Sequence, residues 1–129
     1  MSIDFTPYIR DAERDLWLLP DAARVEPDAF EMNVSNANGV DLLLALGLAP
    51  KTSSDPMPID AFAGLVTAAL RRHLGRRSPE QENVTDNADG RMTFVYCGRP
   101  EGYIEDRLGD LARLIQRSRA AGATHIGWS

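Results

Sequence analysis

With 129 residues, 43% of them hydrophobic and 26% charged, the chain is long enough to bury a core of its own, and its one cysteine excludes an internal disulfide. The longest apolar run, Leu42 to Leu46, stops at Gly47 and falls far short of the about 20 residues a membrane-spanning helix needs. The net charge of −5 is unevenly placed: residues 1–31 hold eight acids against three bases, and the remaining eleven acids and eleven bases cancel.

Taken in order, Thr6-Pro7 resembles a cap followed by a proline at a first helical position. Tyr8, Ile9, Ala12, Leu16 and Leu19 then step by one, three, four and three, which predicts a helix ending before Pro20. Trp17 lies off that stripe. Asp21 to Asp28, punctuated by Pro20 and Pro27, reads as a linker, so residues 1–28 form an acidic helical arm ahead of a single compact domain over 29–129.

Within that domain, Phe30, Met32 and Val34 alternate with Glu31 and Asn33, the period of a half-buried strand. Ser35 or Asn36 caps a mostly apolar helix through Leu46, and Pro50 to Pro58 reads as a loop. Phe62, Leu65, Val66, Ala69, Leu70 and His73 mark one face of the next helix, which Gly75 ends. Arg76 to Arg91 lacks periodicity and reads as a surface loop.

Met92 to Cys97 reads as a strand, Gly98-Arg99-Pro100-Glu101-Gly102 as a turn, and Ile104, Leu108, Leu111 and Ile115 as the stripe of a long helix that Gly122 stops. Acids gather toward the start of that helix and arginines toward its end, as its dipole favours. Thr124 to Trp128 completes a strand–helix–strand unit, most simply a right-handed βαβ with parallel strands. The expected fold is therefore α/β (α+β): about three strands (30–34, 92–97 and 124–128), helices over 36–46, 59–74 and 100–121, and the N-terminal helical arm.

Asn33-Val34-Ser35-Asn36-Ala37-Asn38 leading into Leu42-Leu43-Leu44-Ala45-Leu46-Gly47-Leu48 resembles the opening of a group of small uncharacterised bacterial and phage proteins. Gly98-Arg99-Pro100-Glu101-Gly102-Tyr103, Arg107-Leu108 and the ending Gly122-Ala123-Thr124-His125-Ile126-Gly127-Trp128 are similar to their close. The resemblance covers residues 33–129 and implies a bacterial or mobile-element setting, with no activity attached.

Each chemical candidate has a plainer structural explanation. His73 lies on an apolar helix face, and neither it nor His125 has companions at a metal-ligand spacing, so no metal and no cofactor is implied. Cys97 sits before a helix start, where a thiol can be activated, but no histidine is linked to it as a base. The Gly98–Gly102 turn, with Arg99 and Tyr103, is the place for an anion, yet Pro100 removes a donor and Glu101 puts a carboxylate there. Arg71, Arg72, Arg76 and Arg77 bracket a helix end without interleaved aromatics, which disfavours direct nucleic-acid binding.

These readings point to a cytoplasmic, non-enzymatic binding or inhibitory accessory protein, of the immunity or anti-defence type, that engages a protein partner. The charge excess favours a basic partner, met by Asp11, Asp15 and Asp21 of the arm, with Trp17 as an alternative apolar latch. The runner-up is a small enzyme or an anion-binding domain using Arg99 and Tyr103. The third reading is a homodimer in which the arm covers its neighbour.

Overall fold

A computed structural model describes residues 2–81, 84–88, 92–96 and 98–129, and Cys97 lies outside them. The strands are β1 (Ser2–Asp11), β2 (Leu16–Leu18), β3 (Met32–Ser35), β4 (Ser54–Pro58), β5 (Val84–Ala88), β6 (Met92–Tyr96) and β7 (His125–Trp128). The helices are α1 (Asp21–Val25), α2 (Asn36–Ala45), α3 (Ile59–Arg72) and α4 (Tyr103–Ala120), with a 3₁₀ turn at Pro27–Phe30.

Five strands form one antiparallel sheet in which β1 is joined to β2, β3 and β7, and β7 to β4. Asp4 exchanges both backbone bonds with Ser129, at 2.9 and 3.2 Å, so the even-numbered residues of β1 direct their N–H groups toward β7. The odd-numbered ones face the opposite edge, where β3 starts at Met32 beside Phe5 and β2 ends at Leu18 beside Ile9. Pro7 falls in the gap between those two strands, the one place where a missing donor costs no ladder bond.

β1 corrects the expectation of an N-terminal helical arm. Ile3, Phe5 and Pro7 are buried and alternate with half-exposed Asp4, Thr6 and Tyr8, a period of two that takes precedence over the helical spacing read from Tyr8 onward. Residues 2–11 are thus the strand around which the sheet assembles, and β2 and the short α1 follow them before the 3₁₀ turn.

The expected C-terminal βαβ unit also gives way. β7 has antiparallel neighbours on both sides, β1 and β4, while β6 pairs with β5 in a separate hairpin. Pairing strands close in the chain costs less loop-closure entropy than pairing β6 with a strand distant in sequence. β4 and β5 lie in stretches expected to be loops: β4 holds Pro56 and Pro58, which hide it from an alternation reading but suit the sheet edge it occupies.

The three long helices fall where periodicity placed them. Ile104, Leu108, Leu111, Leu114 and Ile115 of α4 are buried, as are Phe62, Val66 and Ala69 of α3, while Leu65 and Leu70 are half-buried. α4 begins at Tyr103 rather than Pro100, with Gly102 ahead of it at φ 75°. α2, α3 and α4 pack on one face of the sheet, where Phe5, Phe62 and Trp128 form a ring cluster with centroids 5.9–6.2 Å apart.

Candidate functional site

With the helices gathered on one face, the alternation of β1 and β7 turns Thr6, Tyr8, Arg10, His125 and Gly127 to the other. The register sets Tyr8 opposite His125 and Arg10 opposite Trp17, so four side chains from three strands converge. The Trp17 ring lies 4.7 Å from His125 and 6.3 Å from Tyr8, both edge-on, with the Arg10 guanidinium 4.7 Å from its centroid. Trp17 is nevertheless 38% exposed, and Leu16 and Leu19 beside it are exposed as well. A Cβ at position 127 would stand 3.1 Å from Tyr8 Cε2 and 3.2 Å from Pro56 Cγ, so a glycine there lets the tyrosine ring lie across the sheet.

Backbone and side-chain bonds hold this cluster. Thr124 Oγ1 accepts the Arg10 N–H at 2.9 Å and lies 2.8 Å from His125 Nδ1, and Tyr8 O accepts the Thr124 N–H at 2.9 Å. Arg10 also pairs with Asp15, whose φ of 55° makes it the left-handed residue of the β1–β2 turn. Asp11 accepts the Arg14 N–H at 3.2 Å in the same turn. Asp11, Asp15 and Trp17, expected on an arm, are therefore brought together at one hairpin; exposed Asp21 stands at the start of α1, 4.0 Å from Arg24.

A second acidic group occupies the other end of the face. Asp4 accepts a bond from Asn33, its partner across the β1–β3 ladder. The Glu31 carboxyl is held above the usual carboxylate range, first by partial desolvation, then by repulsion from and bonding with Asp4, and by the charge of Asp28.

Arg99 and Tyr103 lie elsewhere, before and at the start of α4. Arg99 is buried and paired with Asp41 at 2.8 Å, and its backbone bridges to Gln81 in both directions. Tyr103 is half-buried, with the Arg107 guanidinium 5.8 Å from its ring. The donors an anion would need there serve the chain itself: Ser78 Oγ accepts the Ile104 N–H at 3.2 Å, and Glu105 accepts the Ser78 N–H. Burial alone would raise the Glu105 pKa, but the Ser78 and Glu105 amides, the Ser78 hydroxyl and the nearby His73, 3.3 Å away, together hold it below the usual value.

Among the described residues no group of three His, Cys, Asp or Glu side chains could hold a metal ion, and no helix is long and apolar enough to cross a membrane. Comparison with protein-family models, with curated proteins and with solved structures finds no match for this chain. Tyr8, Arg10 and His125 were not singled out as site residues by sequence reasoning. The strict alternation from Ile3 to Tyr8 was the available signal, and only the register joins those residues to Trp17.

Proposed function

We propose that this protein acts by binding another protein through the sheet face around Trp17, and that the partner presents a cationic surface with an apolar side chain at its centre. The observation that carries the reading is a tryptophan braced by Tyr8, His125 and Arg10, yet 38% exposed on a sheet face turned away from the helices. A pre-positioned tryptophan loses little freedom on binding and offers a large contact area, which is why such residues dominate interface energetics. Asp11 and Asp15 beside it, with Asp4 and Glu31 at the far end, supply the sign of charge that steers a basic partner. The expected role as an inhibitory or accessory protein of a bacterium or phage is compatible with a surface that acts by occupying its target.

Leu19, exposed at the rim, offers a position for a photo-crosslinking benzoylphenylalanine in cells that carry the protein. The expected product is a crosslink to a protein with a basic contact surface, lost in Trp17→Ala and weakened when Asp11 and Asp15 become Asn. Capture of a second copy of this chain, of nucleic acid, or of nothing would discard the reading.

A further inference from the structure

Away from the Trp17 surface, at the last residues of β7, Trp128 walls a cleft of about 520 Å³ lined also by Lys51, Ser53, Ser54, Asp55 and Ser129. A hollow of about 250 Å³ shares Lys51, Ser54 and Trp128 with it and adds Leu48, Ala49 and Met57. The two adjoin at these shared residues, and the larger lies within the size range of small-molecule sites. One compartment is apolar; the other is hydroxyl-rich and carries one lysine and one aspartate.

The local chain explains why this cleft exists. Gly47, at φ 79°, turns the backbone out of α2, and Leu48 returns a bond to Leu43 O at 2.9 Å. Trp128 Nε1 then donates to Lys51 O at 3.0 Å, which ties the connection to β4 to the indole edge beside the cleft that Lys51 lines. Pro56 and Pro58 leave the neighbouring edge strand with few donors for a further strand.

We propose that this cleft binds a small amphiphilic monoanion, an alkyl or aryl carboxylate, with its apolar part against Leu48, Ala49, Met57 and Trp128 and its charge at Lys51 and the Ser53 hydroxyl, the Ser54 hydroxyl already donating to Asp55 O at 3.0 Å. Asp55 lines the same cleft beside the single lysine, and its repulsion grows with the charge of the ligand, which disfavours a multiply charged anion such as a phosphate monoester more than a monoanion. The inference stands independently of the proposed protein partner.

Octanoate is the probe, titrated to about 5 mM, because a ligand of that size reaches a Kd of about 1 mM. The chain has two tryptophans, so two indole N–H resonances report on it, and Trp17→Phe assigns them. The expected result is a saturable shift of the Trp128 resonance with little movement of Trp17. Lys51→Met, an exposed substitution, should weaken binding about tenfold or more, as should octanamide in place of octanoate. Ala49→Trp should fill the apolar compartment and abolish binding. The proposal is overturned if octylamine binds as well as octanoate, if Lys51→Met binds normally, or if no saturable shift of Trp128 appears.

Discussion

At Gly39, helix propensity and packing pull in opposite directions. Alanine is about 1 kcal/mol better than glycine inside a helix. A Cβ at this position of α2, however, would stand 2.6 Å from Ile3 Cδ1 and 3.0 Å from Val34 Cγ2, both side chains being buried under the helix. Overpacking of that kind costs about 1–3 kcal/mol, so packing outweighs propensity and Gly39→Ala should destabilise the protein in a urea titration. Glu105 makes a second prediction. Its carboxyl has a folded pKa below the ordinary 4.5, so its stabilising contribution is complete above the unfolded value and is lost as pH falls through the folded one. Glu105→Gln should lower stability at neutral pH and flatten the acid limb of the stability profile, read by urea unfolding from about pH 7 to about pH 3. The Ser78 and His73 partners that make this residue informative are 27 and 32 positions away along the chain, so spacing alone gave no sign of them.

At the scale of elements, helices were legible and strands less so. α2, α3 and α4 carry their own evidence, because a stripe repeating every three or four residues and a glycine past the end are local features. Leu108→Ala or Leu111→Ala should cost about 2–5 kcal/mol, since both side chains are fully buried. β1 supplies the sharper contrast. Phe5, buried against Phe62 and Trp128, should cost about 3–5 kcal/mol when replaced by alanine. Trp17→Ala on the neighbouring strand removes an exposed cation–π contact worth about 0.5–1 kcal/mol and should leave the fold intact. Thermal melts of the two variants separate the readings of the N-terminal segment: an arm would leave Phe5→Ala close to wild type.

For the whole molecule, the same placement predicts that removing residues 1–28 abolishes folding, because β3 and β7 both lose β1 as their ladder partner. Circular dichroism of the truncated chain should lack a cooperative transition, whereas Asp11→Asn with Asp15→Asn should retain one, as both carboxylates lie at a solvent-facing turn. The sequence by itself determined the apolar faces of three helices, the glycines that end them, the final strand, the mixed α/β class and the concentration of negative charge in the first 31 residues. Each of these depends on residues a few positions apart, or on composition alone. Tertiary structure decided which strands pair, that the acidic segment enters the sheet, and that Tyr8, Arg10, Trp17 and His125 share one surface. A strand's partners are set by burial and by backbone bonds to residues as far as 125 positions away, as between Asp4 and Ser129, and no local period records that choice.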